Sequence, residues 1–262
     1  MHIPDNYLSP ASCAVLAVAA APVIVLSVKK VKVQLKENKE LAPMLGIAAS
    51  LSFLLMMFNV PVPGGTTAHA VGGTLLAILI GPYAASLALT VALLLQAFLF
   101  GDGGILALGA NIFNMAIVMP FVGYAIYSLF RKHHQETLGV IVGSYLSINA
   151  AAFLAGVELG LQPLIASKAG QPLYNPYGLS ITVPAMLGAH LLVAGWVEAF
   201  FVACACLLAF LIAVVWVIVP SPHKVSVRLP RQRIVAGQTA VGEITAENMS
   251  DRRARSGLIE LP

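Results

Sequence analysis

Met1-His-Ile-Pro-Asp-Asn-Tyr-Leu-Ser-Pro10 stands directly before the apolar run Ala11–Val28, and five lysines follow within the next 11 residues. The run is close to the roughly 20 apolar residues that a helix needs to cross a bilayer. Lysines that end such a run lie on the cytoplasmic side by the positive-inside rule. We therefore expect the N-terminal stretch outside the cell and the lysine-rich loop inside.

The composition of the whole chain extends this interpretation. Of the 262 residues, 59% are hydrophobic and 10% are charged, whereas about 25% of the residues of a soluble domain are charged. The chain is therefore predicted to be an all-α, multi-pass membrane protein. Its net charge of +4 comes from short basic groups between apolar segments, so nucleic acid is not an expected partner.

Hydropathy predicts a polytopic bundle of about seven transmembrane helices, of which the third is the shortest. The last segment is long for one span, but the basic residues after it belong inside and favour one long or kinked helix. We expect residues 1–219 to form the membrane domain and residues 220–262 a polar, basic, cytoplasmic tail. The seven predicted spans cover about residues 11–28, 41–58, 70–80, 83–100, 105–130, 138–161 and 183–219.

The two N-terminal residues could hold a metal by themselves. No Lys or Arg precedes the first apolar run, which is unlike a signal peptide, so we expect the N-terminus to be retained. The Met1 α-amine, the His2 amide nitrogen and the His2 imidazole can then close two fused chelate rings around one ion. These three nitrogens, called the claw below, lie nearly in a plane, and planar nitrogen coordination suits Cu(II) and Ni(II).

His69 is the natural fourth ligand. It follows a Pro-Gly-Gly turn and is predicted on the same side of the membrane as the claw. Imidazole binds Ni, Cu and Zn alike. A single loop histidine is also compatible with a purely structural role.

Other polar residues within the apolar segments are candidate supports. His190 and Glu198 share one face of the last span, and ionisable groups in a membrane generally face the bundle interior. His190 is expected either to hold the N-terminal stretch or to orient a ligand, while Glu198 suits a proton relay and a hydrogen-bonded packing role equally. Asn111 and Asn114, one turn apart, suit either interhelical hydrogen bonds or support of the metal loop.

Four separated motifs follow one another along the chain: Met1-His-Ile-Pro-Asp5, Pro63-Gly-Gly-Thr-Thr-Ala-His69, Leu108-Gly-Ala-Asn-Ile-Phe-Asn-Met115, and Ala189-His-Leu-Leu with Glu198-Ala. Together they resemble the CbiM/NikM family, the substrate-capture (S) components of energy-coupling-factor (ECF) transporters for cobalt and nickel. The resemblance implies a helical bundle into which the N-terminal segment tucks. It also implies that Met1, His2 and His69 hold the metal, and we take Asp5, Asn111, Asn114 and His190 as candidate supports.

The resemblance further implies a function and partners. The expected cargo is Ni(II), with Co(II) as the alternative, because the opening motifs look more like the nickel branch. Expected partners are a transmembrane coupling (T) subunit, cytoplasmic ATPase subunits, a small auxiliary membrane subunit and the lipid of a bacterial or archaeal inner (plasma) membrane. The chain is not expected to be an enzyme, because it shows no Walker A, His-Glu-x-x-His or Gly-x-Ser-x-Gly pattern. The rival interpretations are an ATP-independent transporter or channel, an intramembrane metal enzyme and a structural bundle.

Overall fold

A computed structural model describes residues 1–58, 60–62, 66–218, 223–228 and 243–248 of the chain. Side chains are described for residues 1–58 and 69–215. The chain divides into two compact units, Met1–Cys206 and Leu207–Pro262. All of the residues discussed below as site residues belong to the first unit.

Helices occupy each of the seven segments in which hydropathy predicts a span. In the described part of the chain, five helical stretches are long and apolar enough to cross a membrane: Pro10–Glu37, Pro82–Phe100, Leu108–Lys132, Glu136–Ile165 and Leu179–Val215. The expectation of an all-α membrane protein is therefore confirmed. The individual helices are α1 (Pro10–Glu37), α2 (Leu41–Met57), α3 (Gly73–Ile80), α4 (Pro82–Leu95), α5 (Leu108–Asn111), α6 (Met119–Lys132), α7 (Glu136–Gly160), α8 (Gln162–Ile165), α9 (Leu179–Ala189) and α10 (Gly195–Ile218).

Two of the seven predicted spans are occupied by helices that are too short to cross the membrane. The 17 residues of α2 cover about 25 Å and the 8 residues of α3 about 12 Å, against a hydrocarbon core of about 30 Å. α3 begins only at Gly73 because the chain before it, from His69 to Gly72, has an irregular backbone. Such a backbone is tolerated at membrane depth only where protein or water satisfies its polar groups.

In the residues that the structure describes, three π-helical turns interrupt or extend the long helices. They cover Gln96–Phe100 after α4, Ile112–Val118 between α5 and α6, and His190–Ala194 between α9 and α10. Isolated π turns occur frequently at functional sites. The last apolar segment, about residues 183–219, is long for one span. Its helical stretch, Leu179–Val215, is continuous and contains one π turn, as the basic residues after it predict.

The strands are short and pair locally. β1 (Val60–Val62) pairs antiparallel with β2 (Thr66–Ala68), and β3 (Ser167–Lys168) with β4 (Gln171–Pro172). In the second unit, β5 (His223–Arg228) pairs antiparallel with β6 (Glu243–Asn248). The β1–β2 hairpin leads directly into His69.

Burial in the helices is opposite to that of a soluble protein. On the last helical stretch Leu192 is 79% exposed and Phe200 is 73% exposed, whereas His190 and Glu198 are fully buried. Apolar side chains facing outwards and ionisable side chains facing inwards are the arrangement that a lipid environment favours. The polar residues of the candidate site therefore lie inside the helix bundle.

Candidate metal site

The N-terminal segment is folded into the protein. Met1 is 3% exposed and Ile3 is 2% exposed. The Ile3 N–H donates to Asn111 Oδ1 at 2.8 Å, and Asn111 Nδ2 donates back to the Ile3 carbonyl at 3.1 Å. The same carbonyl accepts a hydrogen bond from the Gly104 N–H at 2.9 Å. Asn111 and the Gly101–Gly104 loop thus hold the main chain immediately after the claw.

Asp5 fixes the other end of this segment. Its carboxylate accepts hydrogen bonds from the N–H groups of Leu106 at 2.9 Å and Ile105 at 3.1 Å, in the manner of a cap on the turn that leads into α5. The backbone of Asn6 has a φ of 69°, a left-handed conformation that Asn tolerates better than most residues. A Cβ at Gly104 would overlap Asp5, so the close approach requires glycine there.

The structure brings the claw and His69 together. The Met1 amine nitrogen lies 3.4 Å from His69 Nε2. The imidazoles of His2 and His69 are stacked, with ring centroids 4.9 Å apart and an interplanar angle of 28°. Residues 68 positions apart in the chain therefore share one buried site.

The tautomers of both imidazoles follow from their outer hydrogen bonds. His2 Nε2 lies 3.1 Å from Gln96 Oε1, and His69 Nδ1 lies 3.2 Å from the carbonyl oxygen of Ala70. The Ala70 carbonyl can only accept, so His69 Nδ1 donates to it; with the Gln96 amide oxygen facing His2, His2 Nε2 donates as well. The lone pairs are left on His2 Nδ1 and His69 Nε2. A partner on the outer nitrogen that fixes tautomer and ring orientation is the usual support of a metal-binding histidine.

Gln96 is a site residue that sequence reasoning missed. It is fully buried, at the point where α4 passes into its π turn. The available signal was a single amide side chain at the end of a strongly apolar helix. Such a group must find a hydrogen-bond partner inside the bundle.

Burial makes the site electrically neutral. It lowers the pKa of the Met1 α-amine to about 5 and the pKa of the His2 imidazole to about 4. The pKa of His69 is held well below its ordinary value, mainly by burial and to a smaller extent by the neighbouring Met1 amine and His2. Asp102, with a carboxylate oxygen 3.7 Å from His2 Nδ1, raises the first two pKa values by less than burial lowers them. All three groups are therefore neutral at pH 7, as metal ligands must be.

The candidate ligands include main-chain nitrogens as well as side chains. Among the described residues, no group of three His, Cys, Asp or Glu side chains is placed to bind an ion. The claw and His69 together offer four nitrogens. Two nitrogens that each lie about 2.0 Å from a metal, with a right angle between their bonds, are about 2.8 Å apart. The distance between Met1 N and His69 Nε2 is 3.4 Å, so these atoms would have to approach each other by about 0.6 Å to bind one ion.

Asn114 lies outside this arrangement. Its Nδ2 donates to Glu158 Oε2 on α7 at 2.8 Å, which is the interhelical bond that the sequence left as the alternative. Asn111 and Asn114 differ because a π turn follows Asn111, and a π turn rotates successive side chains by less per residue than an α-helix. Asn114 is therefore directed towards α7, and this contact matches the interhelical role, one of the two that the sequence left open for it.

His190 and Glu198 both lie inside the bundle but make different contacts. His190 Nδ1 lies 2.8 Å from the Met186 carbonyl oxygen, one turn earlier in the same helical stretch. Glu198 accepts hydrogen bonds from the N–H groups of Val71 at 2.8 Å and Gly72 at 3.0 Å. Of the two roles that the sequence left open for Glu198, these contacts match the hydrogen-bonded carboxyl.

Comparison with known proteins gives a consistent family. The model of a family described as cobalt uptake substrate-specific transmembrane region, CbiM, matches residues 2–218. A probable fused nickel transport protein, LarMN, of Lactiplantibacillus plantarum is 71% identical over 202 residues, which are 77% of this chain and 62% of that protein. The fused nickel transport protein NikMN of Rhodobacter capsulatus is 48% identical over 217 residues, 80% of this chain and 61% of that protein. The chain thus spans less than two thirds of the length of either fused protein.

A further relative and a solved structure match over more of their length. A putative metal transport protein of Methanocaldococcus jannaschii is 48% identical over 74% of this chain and 85% of its own length. The crystal structure of a truncated transition metal transporter has 52% sequence identity and a TM-score of 0.76, covering 81% of this chain and 99% of that one. The chain therefore belongs to the CbiM family of cobalt uptake substrate-specific transmembrane regions.

Proposed function

We propose that the chain captures Ni(II) with high affinity as the substrate-specific membrane subunit of an ATP-driven ECF-type uptake transporter. Co(II) is the alternative cargo. The family supports a role in metal transport, and the names of two relatives favour nickel. The Irving–Williams order also favours Ni(II) over Co(II) in a site built from nitrogen.

One observation carries the proposal: the Met1 amine and the imidazoles of His2 and His69 lie together in a buried site, beside the His2 amide nitrogen. The Met1 amine, the His2 amide and His2 Nδ1 would occupy three corners of a square around the ion, and His69 Nε2 would occupy the fourth. The amide must lose its proton to bind, so capture releases at least one proton. Gln96 and the Ala70 carbonyl hold the two imidazoles in the tautomers that this geometry requires.

ATP coupling belongs to the proposal because tight capture makes release difficult. A site with a Kd of about 1 nM binds its ion by about 12 kcal/mol, and unassisted release from such a site is slow. The proposed partners are a transmembrane coupling subunit, cytoplasmic ATPase subunits and a small auxiliary membrane subunit. In this arrangement the N-terminus lies outside the plasma membrane, residues 1–219 form the capture domain and residues 220–262 lie in the cytoplasm.

The test is nickel titration of purified protein whose mature N-terminus is verified as Met1 by mass spectrometry. We expect one ion per chain and a visible absorption spectrum of square-planar nitrogen coordination. A variant with Gly-Ser placed before Met1 should lose tight binding, because its amine is no longer adjacent to His2. His69→Ala should bind more weakly, with a shifted spectrum. Unchanged affinity in the extended variant would rule out the claw.

An ATP-independent transporter or channel is the rival outcome. It needs a polar route through the bundle, but the carboxylate of Glu198 is engaged by two backbone amides. Nickel uptake should therefore require the ATPase and coupling subunits in proteoliposomes. Sustained uptake by this chain alone would favour the rival.

A further inference from the structure

Glu198 is a buried carboxyl that the proposed nickel chemistry does not use. It is fully buried on α10. Its Oε2 accepts the Val71 N–H at 2.8 Å, and its two oxygens accept the Gly72 N–H at 3.0 and 3.1 Å. A buried carboxyl without hydrogen bonds is costly, so these contacts explain how the group is tolerated. They also tie α10 to a segment 126–127 residues away in the chain.

The segment that Glu198 holds is the one that carries His69. From the opposite side, Ser52 on α2 donates its hydroxyl to the Val71 carbonyl at 2.6 Å. Gly72 adopts a φ of 75°, and a Cβ there would come within 3.0 Å of a Leu55 methyl group. Val71 is therefore fixed at its N–H by α10 and at its carbonyl by α2.

The orientation of the His69 imidazole depends on this fixed peptide. His69 Nδ1 lies 3.2 Å from the carbonyl of Ala70, and the N–H of that same peptide unit belongs to Val71, which donates to Glu198. The Glu198 carboxylate thus holds the peptide whose oxygen sets the tautomer and ring direction of His69. The hydrogen bond from the Val71 N–H to Glu198 also polarises that peptide and makes its oxygen a stronger acceptor.

We propose that Glu198 is a positioning residue, which fixes His69 Nε2 against the Met1 amine and His2. This inference rests on the proposed role of His69 as the fourth nickel ligand. It adds a connection between the last membrane helix and the metal: a displacement of α10 relative to α2 would pull on the peptide that orients His69. Simple stabilisation of the start of α3 is the competing explanation, and the two differ in what they predict for His69.

The first measurement needs no metal. Hydrogen exchange at the Val71 and Gly72 amides is compared in wild type, Glu198→Ala and the control Glu158→Ala. Glu158 is a second carboxyl on a membrane helix, with Asn114 as its hydrogen-bond donor, and it makes no contact with the His69 segment in the described hydrogen bonds. We expect faster exchange at both amides in Glu198→Ala alone. Unchanged exchange in Glu198→Ala would overturn the inference.

The second measurement is a double-mutant cycle in nickel titration. Outer partners of metal-binding histidines typically contribute 10–100-fold in affinity, so Glu198→Ala should weaken binding by about that factor and shift the spectrum towards that of His69→Ala. Glu198→Gln keeps one acceptor oxygen and should lose less. In a His69→Ala background, Glu198→Ala should cause no further loss, because no imidazole remains to be positioned.

The outcomes separate the inference from the function. If Glu198→Ala reduces nickel affinity by the same factor in the wild-type and His69→Ala backgrounds, the positioning role is overturned and a structural role remains. Absence of nickel binding in wild type would overturn the proposed function, while the exchange result would still decide whether Glu198 holds the segment.

Discussion

The neutral state of the buried nitrogens predicts how many protons nickel displaces. With ordinary pKa values, at pH 7 the α-amine would be about 0.9 protonated and each imidazole about 0.25 protonated. Together with the amide proton, binding would then release about 2.4 protons. Burial lowers the pKa of the Met1 amine to about 5 and that of His2 to about 4, and keeps His69 neutral as well. Only the amide proton remains, so we expect release of about one proton.

The pH dependence follows with a definite sign. Each released proton costs a factor of about ten in apparent affinity per pH unit, so between pH 8 and 6 the affinity should fall about tenfold for each unit of decrease. At pH 5 the Met1 amine, with a pKa of about 5, is half protonated. Release should then rise to about 1.6 protons, against about 4 for groups with ordinary pKa values.

Isothermal titration calorimetry in buffers of different ionisation enthalpy measures this number directly. The protein is kept in detergent or nanodiscs at pH 7 and at pH 5, and the slope of apparent enthalpy against buffer enthalpy gives the protons released. Release of two or more protons at pH 7 would refute a buried, neutral site. Release of none would show that the His2 amide is not a ligand.

Two further predictions concern the supports of the site. Gly104→Ala should destabilise the N-terminal segment, because a Cβ there overlaps Asp5, whereas a Cβ at the control position Gly46 meets nothing within 4 Å. The unfolding temperature in detergent should therefore fall for Gly104→Ala only. An equal fall for Gly46→Ala would contradict the close approach. Gln96→Leu removes the acceptor from His2 Nε2 and should weaken nickel binding about 10–100-fold in equilibrium titration, and unchanged affinity would show that the outer hydrogen bond is dispensable.

Much of the fold could be predicted because hydropathy and charge are local properties. Each apolar segment and each basic loop reports its place in a bilayer without reference to the rest of the chain. Of the candidate site, Met1 and His2 could be identified because their chelating nitrogens are adjacent in sequence. His69 could be placed on the same side of the membrane, and Asn111 could be named as a possible support.

The hydrogen-bond partners could not be predicted in this way. Gln96 meets His2 across 94 residues and Glu198 meets Val71 across 127, and no local pattern encodes either pair. Asn111 and Asn114 look equivalent by helical spacing, yet Asn111 precedes a π turn and contacts Ile3, while Asn114 lies within that turn and contacts Glu158. Which polar groups meet depends on helix rotation, and rotation is decided by the packing of the whole bundle. The residue types that can bind a metal are thus legible in the chain, while their tautomers, charge states and relative positions arise only when burial and packing bring them together.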